Sequence, residues 1–187
     1  MFGMNEYSVG FYVKEIEKLS KKIMEDKKEI KMLNDKLIYE DYSYYIEKYE
    51  TRINELGGDI KYCSVKLTDY AEDLYFKLSC ENKETWIEKK VLQSIATTRS
   101  RLEDKKGEDD YKQEYAQELS EYLHKGYAIF RETPMEEEVC NELVFIGNNV
   151  FDTWKYIKEN MKSYIEGEVL RVKEVGGVWI TGKRVKG

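Results

Sequence analysis

Activating a serine or cysteine nucleophile requires a positioned base, and the 187-residue chain offers one imidazole, His124. It falls late in a helical pattern beside Lys125, where a histidine serves the negative end of the helix dipole. No site that needs two imidazoles can be built. Cys63, Cys80 and Cys140 are odd in number and form no CxxC pair, so neither a disulfide framework nor zinc-ligand spacing is present. No GxxxxGK[ST] or GxGxxG loop occurs to cradle a phosphate. Carboxylates abound, but no pair of them is set apart for acid–base work. These residues predict no catalytic centre, no metal and no cofactor, and therefore a protein that is not an enzyme.

Charge is a better guide than nucleophiles. The chain carries −6 overall, yet residues 107–142 alone carry −8, while residues 143–187 carry +3. Within the acidic stretch Glu108, Asp109 and Asp110 open a helical pattern. Glu114, Glu118 and Glu121 then form a ridge beside Tyr111, Tyr115 and Tyr122. A carboxylate ridge bordered by aromatics can dock a basic groove, steered by charge and weakened by salt. Acidic residues in a first turn also complement the helix dipole, which accounts for Glu108–Asp110 without any partner.

The tail offers the opposite chemistry. Arg171, Lys173, Lys183, Arg184 and Lys186 surround Trp179, and such a basic segment can hold a nucleic-acid backbone while the indole stacks a base. Its alternation with Val-type neighbours suits a core position for Trp179 equally well.

The elements that position these groups follow from periodicity. Ile16, Leu19, Ile23, Ile30, Leu33 and Leu37 share one helical face. Ile38, Tyr39, Tyr42, Tyr45, Ile46, Tyr49, Ile53 and Leu56 share another, and the phase jumps between Leu37 and Ile38. Residues 1–57 are thus one bent helix or two helices. Tyr39, Tyr42, Tyr45 and Tyr49 continue an apolar stripe, so half-burial against the core is expected of them, with only Tyr44 off the stripe. The heptad positions of residues 16–40 include Asp26 and Glu40, so a coiled-coil dimer seam is weak and packing within the chain is favoured.

Gly57-Gly58 reads as the end of this segment. Residues 59–80 fit either a helix or a hairpin around TDYAED, and the strands are preferred because a helix would leave Tyr62, Val65 and Phe76 on its outer side. Helices are expected at about 84–105 and 109–125, followed by GYAIFRE as a connector or strand. Thr133-Pro134-Met135-Glu136 has the form of a capping box, and a stripe from Val139 through Trp154 to Ile165 extends it into one helix over 134–166. In residues 168–187 a Gly176-Gly177 turn between β-branched runs predicts a C-terminal hairpin, which needs a third strand, with 59–80 as the candidate.

The expected fold is mainly α, of α+β type: long helices packed with a small antiparallel β element. It divides into residues 1–57, 58–167 and 168–187 of one compact domain. No apolar run approaches the ~20 residues of a membrane span, and the start lacks a secretion signal, so a cytoplasmic location is expected. Lysine outnumbers arginine 25 to 6, a bias of AT-rich genomes and many of their phages. The function these features favour is an interaction module. It would be an inhibitor of the anti-restriction or anti-CRISPR type, perched on the basic surface of a nucleic-acid-handling protein partner in a phage host's cytoplasm. Nucleic-acid binding by the tail and a coiled-coil homodimer or assembly subunit are the alternatives.

Overall fold

The computed structural model describes residues 7–80, 86–105, 107–135, 138–160 and 169–175. The elements are α1 (Val9–Leu37), α2 (Ser43–Cys80), α3 (Trp86–Glu103), α4 (Glu108–Leu123), β1 (Gly126–Pro134), β2 (Val139–Gly147), α5 (Val150–Asn160) and β3 (Val169–Val175). The fold is mainly helical with a small three-stranded antiparallel sheet. Contacts gather the chain into two compact units, residues 1–84 with 92–120, and residues 85–91 with 121–187.

The first unit is built on a helical hairpin. Ser8 caps α1, its hydroxyl accepting from the Phe11 amide at 3.2 Å. Ile16, Ile23 and Leu33 of α1 are buried, as expected from their spacing, and Tyr12 is buried as well. They pack along α2, which returns antiparallel. Phe11 meets Tyr70, Lys22 meets Asp59, Arg52 meets Glu29, and Lys36 lies over Tyr49. Of the heptad positions, Ile16, Ile23, Asp26 and Leu33 are buried in this unit, and Leu19, Ile30 and Leu37 are half-buried. Buried polar groups are matched across helices: the Ser20 hydroxyl donates to Ser120 Oγ at 3.0 Å, and Ser120 donates to the Ser20 carbonyl at 3.2 Å. Asp26 is buried too, held by Lys22 Nζ at 2.7 Å, and the Lys22 ammonium is shifted upward, first by that bond.

One open alternative is resolved in this unit and two expectations are corrected. The 1–57 segment is two helices, because the chain turns at residues 38–42, where the phase jumps. Gly57-Gly58 ends nothing: α2 runs through both glycines, anchored by buried Leu56 before them and Ile60 after. Residues 59–80 are helical, not strands, because Ile60, Cys63, Leu67, Ala71, Leu74 and Leu78 all reach the core at helical spacing. Burying that face outweighs leaving Tyr62 and Phe76 outside, since each fully buried aliphatic side chain is worth ~1.5–3 kcal/mol.

In the second unit β1 is the central strand, between β2 and β3, in the order β2-β1-β3. Tyr127 pairs with Gly147, and the β1–β2 ladder ends at Pro134 opposite Val139, with a bulge between Ile129 and Phe130. Gly126 pairs with Val175 and Glu132 with Val169 on the other side. The predicted helix over 134–166 is therefore wrong in its first half. Thr133 and Pro134 close a strand, and the Met135 amide donates to the Glu138 carbonyl at 2.8 Å to turn the chain. Pro134 is tolerated because it sits at the end of the ladder, where no pairing amide is demanded of it. Leu143, Val144, Phe145 and Ile146 supply the β-branched and aromatic run that suits a strand. The genuine helix, α5, begins after Gly147. Asn149 caps it, accepting the Asp152 amide at 2.8 Å, and Phe145 stacks on Tyr156 with centroids 4.4 Å apart. Gly147 is needed there, since a Cβ would lie 2.4 Å from Thr153 Oγ1. The strand that β3 joins is β1, not residues 59–80. Of the expected C-terminal hairpin, β3 is seen paired to β1, and residues 176–187 lie outside the described residues, as do Glu136 of the expected capping box and the stripe positions Met161 and Ile165.

Candidate functional site

The acidic ridge on α4 is where a partner surface was expected, and two of its three tyrosines belong to the interior. Tyr115 is fully buried at 0% exposure and Tyr111 is buried beside it, their rings stacked 5.8 Å apart. Burial pushes the Tyr115 phenol upward and the Tyr111 phenol up to about 12, with Glu103 adding to the latter. These two tyrosines are removed from any contact face because they fill the space under α4. The carboxylates are engaged as well. Glu118 pairs with Arg101, and Glu108 with Lys112 at 3.0 Å. Glu114 and Glu121 also have partners. Tyr122, half-buried, donates its hydroxyl to the Lys90 carbonyl at 3.3 Å. Asp110 is exposed, and the Asp109 side chain lies outside the described residues.

Of the basic tail set, Lys173 is exposed on β3, and Arg171 occupies the β3 position opposite Phe130. Trp179, Lys183, Arg184 and Lys186 lie outside the described residues. Among the described residues no group of three His, Cys, Asp or Glu side chains is gathered to hold a metal ion. Cys63 is buried, which pushes its thiol upward, and Cys80 and Cys140 are exposed and free. Among the described residues of the second unit the buried carboxylate is Glu88, which accepts from Trp154 Nε1 at 3.2 Å and pairs with Lys158 Nζ at 3.0 Å. Lys158 also lies 4.2 Å over the Trp154 ring. That cluster ties the first turn of α3 to α5.

The surface that stands out holds stripe residues expected to be half-buried, together with Tyr44, which was expected off the stripe. Ile38, Tyr39, Tyr42, Tyr44 and Tyr45 are exposed at the turn of the α1–α2 hairpin, Tyr39 at 84%, Tyr42 at 73% and Tyr44 at 69%. The stripe fails because it was extended across a turn. α1 closes with the Tyr39 amide bonding the Lys36 carbonyl at 3.2 Å. The Glu40 carboxylate then accepts the Tyr42 amide at 3.2 Å, and the Tyr42 carbonyl starts α2 by accepting from Tyr45 and Ile46. Beyond the turn no core remains for these rings to enter. Tyr49, one turn further into α2, is partly covered and carries Lys36 Nζ 5.8 Å from its centroid.

The tip rings lean on each other. Tyr45 makes edge contacts with Tyr42 and Tyr44 and stacks with Tyr49. Glu40, Asp41, Glu47 and Glu50 stand among them, so residues 35–50 carry five acidic and two basic side chains, a net −3. Next to the tip, Tyr44, Glu47, Lys48, Thr51, Arg52 and Glu55 line an open groove of about 630 Å³. The interleaving of acidic residues with tyrosines in EDYSYY was the available signal. Three of these six residues, Glu40, Asp41 and Ser43, are polar, which suits a solvated turn better than a buried helix face.

Compared with protein-family models, with curated proteins and with solved structures, the chain matches none. No helix among the described residues is long and apolar enough to cross a membrane.

Proposed function

We propose that this chain is a non-enzymatic interaction protein whose contact surface is the tyrosine-rich tip of the α1–α2 hairpin. The observation that carries the reading is the exposure of Tyr39, Tyr42, Tyr44 and Tyr45 among Glu40, Asp41 and Glu47. Clustered exposed aromatics mark interaction surfaces on soluble domains. Tyrosine suits them because a rigid ring covers area at low entropic cost while its hydroxyl stays wet. The carboxylates give the surface its sign: it fits a cationic partner, whose arginines can pair with the acids and lie over the rings. Lys36 over Tyr49 is that contact made within the chain.

The finer reading follows from shape. Aromatic rings flanked by fixed negative charge resemble stacked bases flanked by phosphates, so the partner class favoured is a protein with a nucleic-acid-binding groove. The chain then acts as a blocker of that groove, of the anti-restriction or anti-CRISPR kind, in the cytoplasm of a phage host.

The test is binding of the full chain to a fluorescent oligoarginine peptide at low and physiological salt. Tyr39→Ala/Tyr42→Ala and Glu40→Lys/Asp41→Lys should each weaken binding about tenfold or more, with salt weakening the wild type further. Equal binding by all three proteins overturns the reading. Reversal of Glu114 and Glu121 on α4 should leave binding at the wild-type level.

A further inference from the structure

The buried residues of α2 are unevenly placed. All nine lie between Leu56 and Leu78, and from Ser43 to Glu55 no side chain is buried. On α1 the last buried position before the turn is Leu33. The first thirteen residues of α2 are therefore an arm of ~20 Å that runs from the tip to the edge of the core. Little holds this arm against α1. Arg52 pairs with Glu29 at 2.9 Å, but both side chains are exposed, and such a pair contributes little. Lys36 lies over Tyr49, and Ile46, Tyr49 and Ile53 are only half-covered.

Gly57-Gly58 stands where the arm meets the core. Leu56 just before the pair and Ile60 just after it are buried. Asp59 is bonded by Lys22 at 3.3 Å, and Lys22 is itself held by buried Asp26 at 2.7 Å. Among the described residues nothing lies within 4 Å of a Cβ placed at either glycine, so neither is there to let another part of the molecule come close. Only proline is less favourable in a helix interior, because glycine has the most backbone freedom to lose. Two in succession make α2 easiest to unwind at this one place.

We infer that Gly57-Gly58 is a hinge on which residues 43–55 leave α1 and redock as one unit. Hinges are a few positions that absorb the backbone change between two bodies, and the segments that open first are those with few buried contacts. A released arm of this length is marginal as an isolated helix in water, so it unwinds as it opens. The movement belongs to α2, since α1 holds no glycine beyond Gly10. Its use rests on the tip being the contact surface. Tyr39 stays with α1 through its amide bond to the Lys36 carbonyl, while Tyr44 and Tyr45 travel with the arm. The rings can then part to admit a partner's side chain and close over it.

The experiment is residue-resolved amide hydrogen exchange on the full chain and on Gly57→Ala/Gly58→Ala. Both sites are open and helical, so the variant folds, which circular dichroism checks. In wild type, the amides of residues 47–55 should share one rate, at least about tenfold faster than those of residues 60–74. In the variant that block should slow by about tenfold or more, as two glycine-to-alanine changes in one opening unit require, while residues 63–74 change less than about twofold. A rate that falls gradually from residue 47 to residue 74 means fraying from the helix end and overturns the hinge. So does a block that the variant leaves unchanged, or a slowing spread equally over α1 and α2. No partner takes part in this measurement, so a failed hinge leaves the reading of the tip standing, and a tip that binds no oligoarginine leaves the exchange step in place.

Discussion

Tyr111 and Tyr115 on α4 and Tyr39 and Tyr42 at the hairpin turn are the same residue type in similar acidic company. In the first pair the rings stack under a helix, and acidic neighbours such as Glu118 reach outward to cations. In the second pair the rings are in water and the carboxylates stand among them. What separates the two is the position of the helix relative to a core. α4 lies along other helices of its unit throughout the turns that bear Tyr111 and Tyr115, whereas residues 38–45 lie where two helices have already turned back. Composition is therefore a poor guide to the role of a tyrosine, and whether the turn that bears it lies against another helix is a better one.

The strongest way to break this contrast is truncation. Tyr115→Ala should destabilise the fold by ~3–5 kcal/mol, the cost of emptying a large buried aromatic site, while Tyr39→Ala should stay within ~0.5 kcal/mol of wild type. Urea unfolding monitored by circular dichroism measures both, and equal losses would end the distinction between interior and surface tyrosines. In the second unit, Gly147→Ala should cost ~1–3 kcal/mol by overpacking, because its Cβ would meet Thr153 Oγ1 at 2.4 Å and the Phe145 ring at 3.0 Å. Rescue by Gly147→Ala/Thr153→Ala would identify that contact as the cause.

Alkaline titration sharpens the same contrast. The Tyr111 phenol is pushed up to about 12, mainly by burial, while an unfolded tyrosine titrates at ~10. The folded state holds this proton more tightly, so the contribution is complete below about pH 10 and is lost as pH rises towards 12. Stability should fall across that window, and in Tyr111→Phe the fall should be shallower. A slope unchanged by the substitution would show that Tyr111 is not shielded. The smallest effects are the most specific. Tyr115→Phe should be neutral or slightly stabilising, within ~1 kcal/mol, because its buried hydroxyl has no partner among the described residues. Gly57→Ala should raise stability by ~0.5–1 kcal/mol, since its site is open and helical.

Much of the helical core was legible. Ile16, Ile23 and Leu33 are buried as their spacing predicts, and the phase jump after Leu37 marks the turn. The strands were not, because Val139–Gly147 is a short apolar run for which local pattern cannot separate strand from helix. Its identity comes from pairing with β1, a contact that local sequence does not contain. The Thr-Pro-Met-Glu signal misled for the same reason: a turn between strands and the start of a helix both use proline after a hydroxyl residue. Gly57-Gly58 misled in the opposite sense, since packing on either side of it outweighs ~2 kcal/mol of unfavourable propensity. At the candidate site, residue types were informative and placement was not. Acid and tyrosine together point to a cationic partner, but which cluster faces water depends on where α1 turns.

The proposed role of the hairpin tip depends on which tyrosines meet a cationic partner. The most direct measurement is amide chemical-shift mapping of the isotope-labelled full chain during titration with an oligoarginine peptide. Shifts concentrated at residues 38–48, reduced by salt and absent from Tyr111–Leu119, are the predicted result. Shifts centred on α4, or spread evenly over every exposed carboxylate, would contradict it.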